Sequence, residues 1–282
     1  MPFKDILVHL DATPQSGSRL DVAVSLAQRH GAHLSALHVV DLAIPLFASG
    51  DPGGGAAMAQ IMTQVRNEAL ASAAAIEAGF RDRMRREGIA GEWRQAEGPL
   101  AETIALHARY ADLAIIGQDD PDAAQPGATG LAGDVLFAAG RPVLVVPYAG
   151  HFAEIGRRVL VGWNASREAA RAVNDALPLL TAAETVHVLA ANPHRGPDGH
   201  GDVPGADIAL HLARHGVKVT AEHRVAPDIP NAADLLLNEA ADMSADLLVV
   251  GAYGHSRLRE FILGGVTRTL MQQMTVPVLM SH

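Results

Sequence analysis

The sequence predicts an α/β protein made of two tandem doubly wound parallel-sheet domains. Three observations carry that reading. First, the chain repeats itself: Ala111-Asp112-Leu113-Ala114-Ile115-Ile116-Gly117 returns as Ala245-Asp246-Leu247-Leu248-Val249-Val250-Gly251, and each copy leads to an apolar run behind a proline, Pro142 to Val146 and Pro277 to Met280. Second, short apolar runs alternate with helical patterns, as parallel strands joined by helical crossovers require. Third, aromatics make up only 4% of the 282 residues while 49% are hydrophobic. The core is therefore built from Ala, Val, Leu and Ile, which suits a sheet covered by helices on both faces. The expected domains are 1–149 and 154–282, each at roughly 140 residues long enough to bury its own core.

In the first half, Ile6 to Leu10 reads as a strand ending at Asp11-Ala12-Thr13-Pro14. A helix follows with Leu20, Val22, Ala23, Leu26 and Ala27 on its inner stripe, and Gly31 stops it. His33 to Val40 alternates as a second strand. Residues 48–57, rich in glycine, read as a loop, and a long Ala-, Glu- and Arg-rich helix runs from about Ala59 to Arg86. Its apolar positions hold no strict heptad, so it reads as cover for the sheet or as a dimer contact. Glu92 to Ala96 is an edge strand, Pro99 opens a helix through Leu100, Ile104 and Ala108, and Leu113–Ile116 and Val143–Val146 are strands four and five. After a linker from Tyr148, the order repeats: strand 159–161, helix 167–180, strand 186–189, helix 208–215, strand 217–224, helix 231–243, strand 247–250, a helix after Gly264 and strand 278–280.

Charge and composition exclude several classes. The formal charge of −9 gives no basic field for a nucleic-acid surface. With no cysteine, disulfides, thiolate catalysis and Cys-ligated metals are ruled out. Met1 leads directly into the first strand and no apolar run approaches the ~18–20 residues of a membrane span, so a cytoplasmic protein is expected, away from membranes. His194 and His200 share a loop with Asp198 and Asp202, but the spacing matches no closed metal site. His211 and His215, four apart, lack the Glu of a metalloprotease helix. No metal is expected.

In such sheets ligands bind beyond the carboxyl ends of strands, where strand order reverses. After strand four of the second half stands Gly251-Ala252-Tyr253-Gly254-His255-Ser256-Arg257, and later Gly264-Gly265-Val266-Thr267. Glycines let backbone N–H groups approach a ligand, and a helix N-terminus adds donors and partial positive charge. Together with His255, Ser256, Arg257 and Thr267 they make a phosphate cradle. This segment resembles the signature of the universal stress protein family: Gly, two residues, Gly, nine residues, Gly, then Ser or Thr. The likeness extends over the whole chain as a tandem member, and implies an adenine nucleotide alpha hydrolase-like fold. It also implies that ATP or another adenine nucleotide, with Mg²⁺ as a candidate companion, is bound at Gly162, Trp163, Asn164, Leu189, Gly251, Gly254, His255, Arg257, Gly264, Gly265, Val266 and Thr267.

Two departures stand out. Gly265 replaces the hydroxyl residue, and Asn164 replaces the family's Asp, keeping a carbonyl acceptor but losing the charge. The first half has the opposite defects. Asp11 is present, but Gln118-Asp119-Asp120-Pro121-Asp122 puts three carboxylates where phosphates would sit, and only Gly130 matches Gly265. That half is expected to bind no triphosphate and to serve as a structural or partner-binding copy.

Bland readings stand beside these. Glycines after a strand can simply make a turn; Asp11, Thr13 or Ser16 can cap the first helix; Trp163 can pack in the core rather than stack on a base. No Walker-type or Ser/His/Asp pattern is present, and no general base or metal carboxylate follows strand four of the second half, so a dedicated enzyme is not expected. The expected function is a stress-response switch responding to adenine nucleotide through the second half. The alternative is a nucleotide-independent interaction protein with two vestigial sites. Strand five of each half is expected to pair with its counterpart, forming an internal pseudo-dimer. An unnamed protein partner and a homodimer of the whole chain are both compatible with this.

Overall fold

A computed structural model describes residues 2–41, 55–121, 130–193, 203–229, 231–252 and 265–282. The first half runs β1 (Asp5–His9), α1 (Ser16–His30), β2 (His33–Val40), α2 (Gly55–Glu87), β3 (Gly91–Glu97), α3 (Leu100–Ala108), β4 (Leu113–Gly117), α4 (Leu131–Ala139) and β5 (Val143–Val146). The second half repeats it as β6 (Arg158–Gly162), α5 (Arg167–Leu180), β7 (Thr185–Ala191), α6 (Ala206–Arg214), β8 (Val219–Arg224), α7 (Ala232–Asp242), β9 (Leu247–Gly251), α8 (Gly265–Gln273) and β10 (Val278–Ser281). The expected elements are present with ends shifted by a few residues. The largest shift is α2, which starts at Gly55 inside the expected loop.

All ten strands form one sheet in the order β3-β2-β1-β4-β5-β10-β9-β6-β7-β8. Within each half the pairing is parallel, and strand order reverses between β1 and β4 and between β6 and β9. At the centre β5 and β10 pair antiparallel, with Leu144 opposite Leu279, as expected for an internal pseudo-dimer. The exposed apolar edges of two five-stranded sheets are thereby removed. The antiparallel junction also sets the carboxyl end of β10 beside the amino end of β5. The ligand end of each half therefore lies next to the helix C-termini of the other.

The parallel strands are apolar on both faces, and each face has its own core. One core packs Val8, Leu26, Phe80, Leu179 and Leu279 under the helices α1, α2, α5 and α6. The other packs Leu7, Ile104, Leu136, Leu236, Leu270 and Met280 under α3, α4, α7 and α8.

The repeated Ala-Asp-Leu now has a physical cause. Asp112 accepts from the Lys4 and Asp5 N–H groups at 2.7 and 3.1 Å. Asp246 accepts from the N–H groups of Gly156, Arg157 and Arg158 at 2.7–3.2 Å. Each carboxylate ties the start of its half's first strand to the start of its fourth, satisfying donors that precede the ladder. The aspartate is repeated because it locks register, and it lies at the end of the sheet away from the ligand crevice.

Candidate functional site

Two mouths lie at the switch points, and they differ. The first opens between β1 and β4. Asp11, just after β1, accepts from the Thr13 N–H at 2.9 Å and from the Thr13 hydroxyl, and pairs with Arg19 Nη2 at 2.5 Å. It does not cap α1, whose N-cap is Gln15 without a side-chain bond. Arg19 is 4% exposed and fills the space above Gly117, where a Cβ would stand 2.7 Å from its Nη1. Burial raises the Asp11 carboxyl, but the Arg19 charge and hydrogen bond, with lesser help from His9 and Thr13, outweigh it and hold the group below its ordinary value. His9, buried at the end of β1, is pushed down to about 3, by burial first and then by the Arg19 charge, so it is neutral at physiological pH.

The carboxylates beyond β4 are internal ligands. Asp119 Oδ2 accepts from the Gly130 N–H at 2.5 Å, at the start of α4. It takes the place that an external anion takes at an open helix N-terminus. Burial raises its pKa above the ordinary value, against the lowering effect of the Gly130 bond. Asp120 accepts from Gln15 Nε2 at 3.1 Å. Asp122 lies outside the described residues. The Arg19 guanidinium and the carboxylates of Asp11, Asp119 and Asp120 thus occupy this mouth.

The second mouth opens between β6 and β9. Asn164 is exposed, and its Oδ1 accepts from the Ser166 N–H at 3.1 Å, the same turn that Asp11 makes with Thr13. Ser166 caps α5 through Ala169 N–H at 3.1 Å. The place that Arg19 takes above Gly117 is taken above Gly251 by the backbone of Glu168 and Ala169. Gly162 packs tightly: a Cβ there would stand 2.9 Å from Val250 Cγ1 and 3.0 Å from Leu236 Cδ1. The Trp163 side chain packs against the core under α5, and the Trp163 backbone N–H donates to Leu189 O at 2.9 Å. That carbonyl is therefore engaged within the fold, and the Leu189 side chain is fully buried in the opposite core.

Gly251 closes β9 against the first turn of α5. A Cβ there would lie 2.8 Å from Ala169 Cα and closer still to Ala169 N and Glu168 C. Its lack of a side chain is required by helix–strand packing, whatever else the position does. Gly265 and Val266 are exposed at the start of α8, and among the described residues no heavy atom outside its neighbours lies within 4 Å of a Cβ built on Gly265. The first turn of α8 carries no acidic residue, in contrast to Asp134 in α4. Thr267 is buried, 4% exposed, and faces inward rather than to the mouth. Gly254, His255, Ser256, Arg257 and Gly264 lie outside the described residues, as do His194, Asp198, His200 and Asp202.

Sequence reasoning missed Arg19, although a charged residue one turn before Val22 and Ala23 on a buried stripe is a legible anomaly. His211 and His215 form a ring pair at 4.8 Å, and among the described residues no cluster of three potential ligands could hold a metal. No helix of the described residues is long and apolar enough to cross a membrane.

Fold and mouths define a tandem doubly wound α/β protein whose first strand-end crevice is filled by its own side chains. The universal stress protein family model matches residues 2–147 and again 156–282, and the chain belongs to that family. A universal stress protein from Synechocystis sp. is 32% identical over 68 residues, which are 24% of this chain and 22% of that protein. The alignment thus spans only about a fifth of that curated relative's length. Among solved structures, a universal stress protein from Archaeoglobus fulgidus DSM 4304 superposes with a TM-score of 0.73 at 17% identity, over 98% of this chain and 95% of that one. A functionally unknown protein from Pseudomonas aeruginosa PAO1 gives 0.58 at 17%, over 99% and 92%. At such identity the likeness is one of fold.

Proposed function

We propose that the protein is a cytoplasmic nucleotide-responsive switch that binds one adenine nucleotide, ATP foremost, at the mouth of its second half. The observation that carries this reading is the asymmetry of the two helix N-termini. In the first half a carboxylate of the chain sits on the N-terminal donors of α4. The equivalent start of α8 carries exposed Gly265 and no acid in its first turn, and the sequence before it keeps the Gly251, Gly254 and Gly264 spacing. A helix N-terminus with close-approaching backbone suits phosphate oxygens, and Mg²⁺ would accompany the nucleotide rather than be held by a protein cage. The protein's part is binding rather than turnover, and binding would be read by a protein partner through the 251–267 segment.

A thermal-unfolding series with and without Mg-ATP tests this. The wild-type midpoint rises with ATP, by linkage, and Gly254→Asp removes the rise while leaving the ligand-free midpoint in place. An equal rise in that variant overturns the assigned site. A second reading, a nucleotide-independent interaction protein, is favoured by specific observations: Gly251 is explained by the α5 backbone and Asn164 by its own turn. No rise in the wild type supports it.

A further inference from the structure

The two halves exchange helix caps across the central β5–β10 junction. The last carbonyls of a helix have no partner within it and need donors from elsewhere. Helix α8 has no basic residue in its last turn. Its Met271 carbonyl accepts instead from Gln118 Nε2, at 2.9 Å, and Gln118 belongs to the other half, directly after β4. Gln118 is 7% exposed, and its remaining groups are fixed: Oε1 accepts from the Tyr148 N–H at 3.2 Å and its own N–H donates to Val146 O at 2.8 Å. In return, Arg171 Nη2 of α5 donates to Gly140 O at 2.7 Å, just past the end of α4.

The exchange is not symmetric in chemistry. Aligning Gly117 with Gly251 in the repeated sequence sets Ala252, which has no side-chain donor, where the first half has Gln118. Each half contributes one cap of a different kind. Within its own half α8 is tied at mid-length, where Asn231 Nδ2, at the start of α7, donates to Thr269 Oγ1 at 2.9 Å. A buried amide with every group satisfied holds a single orientation, because any rotation leaves a buried polar atom unpaired.

From this we infer that Gln118 is a positioning residue for the second half's nucleotide site: the self-filled first half is the rigid strut that sets α8, whose N-terminus receives the phosphates. This rests on the nucleotide reading above, and it gives the sealed half a task that needs no ligand of its own. A short rigid helix cannot shift at its C-terminal turn without moving its N-terminal donors, so losing the Met271 bond degrades the pre-arranged anion end.

The test uses the full chain with Gln118→Met and Gln118→Glu. Hydrogen exchange of the 265–273 amides, without ligand, reads the clamp directly. Exchange in Gln118→Met is expected to be about five- to tenfold faster than in wild type, the cost of one buried hydrogen bond. Mg-ATP titration is expected to show affinity about five- to tenfold weaker in Gln118→Met at every pH, relative to wild type at the same pH. In Gln118→Glu the ionised carboxylate faces the Met271 carbonyl as a second acceptor and weakens binding. On protonation it regains a donor, so its deficit shrinks as pH falls. Unchanged exchange in α8 overturns the clamp whether or not nucleotide binds. Faster exchange with unchanged ATP affinity overturns the positioning role. A wild-type chain that binds no ATP, with exchange in α8 still accelerated, sinks the nucleotide reading and this role with it, and leaves only the cap.

Discussion

Gly251→Ala separates a glycine kept for packing from one kept for a ligand. The alanine Cβ would stand 2.8 Å from Ala169 Cα, where ordinary contact begins at 3.4 Å, and nearer still to two further backbone atoms of α5. These neighbours are backbone, so relief requires α5 to move off β9 by more than about half an ångström. Helix α5 is capped by Ser166 and buries Ala169, Ala172, Val173, Ala176 and Leu179. Moving it strains a close-packed core, for which overpacking costs about 1–3 kcal/mol and more where backbone must shift. At about 2–4 °C per kcal/mol for a chain of this size, the midpoint should fall by roughly 5–10 °C. Gly265→Ala is the internal control, because its Cβ meets nothing within 4 Å among the described residues, and its midpoint should stay within about 2 °C. Scanning calorimetry without nucleotide reads both. A Gly251→Ala chain as stable as wild type would refute the claim that α5 and β9 touch through backbone, and would return that glycine to the ligand.

Three further outcomes follow from the same contacts. Asp246→Ala leaves three backbone N–H groups at Gly156, Arg157 and Arg158 without their acceptor, and should cost about 2–4 kcal/mol in denaturant unfolding; a loss below about 0.5 kcal/mol would mean water replaces the carboxylate freely. His9 carries a folded pKa of about 3 against an ordinary 6.5. The unfolded chain therefore takes up a proton in that window while the folded one does not, and stability declines as pH falls from 6.5 toward 3. In His9→Gln this decline should be shallower; identical slopes would mean His9 is not held neutral by burial. Arg19→Met should destabilise the chain by about 3–5 kcal/mol because Asp11 loses its buried partner, and a double variant with Asp11→Asn should recover part of that loss.

Much of the fold was legible because it is written twice. The Ala-Asp-Leu repeat and the proline-led final strands placed β4 and β9, β5 and β10, and the pairing of β5 with β10, whose antiparallel direction the structure supplies. What the repeat could not show was which positions had taken on partners across halves. Gln118 read as the start of an acidic stretch, and nothing in the helix pattern of 167–180 singled out Arg171. Their work depends on an antiparallel junction that brings one half's mouth to the other's helix ends, which sets Gln118 on Met271, 153 residues away, and Arg171 on Gly140, 31 residues away. The acids after Gly117 read as hostile to phosphate, and two of them, Asp119 and Asp120, accept hydrogen bonds from the chain itself. That Asp119 itself occupies the helix N-terminus follows only from the position of Gly130. Gly251 marks the limit in the other direction: one glycine answers equally well to a phosphate and to a neighbouring helix, and sequence alone does not separate them.

The most direct test of the asymmetry is calorimetric titration of Mg-ATP into the full-length chain stripped of endogenous ligand. One site per chain is the predicted result, because Arg19 and Asp119 fill the first mouth while Gly265 and Val266 are exposed at the start of α8. Two sites would contradict the self-filled first mouth. No heat of binding, with no shift in the unfolding midpoint, would contradict the nucleotide switch and leave both crevices as inherited geometry.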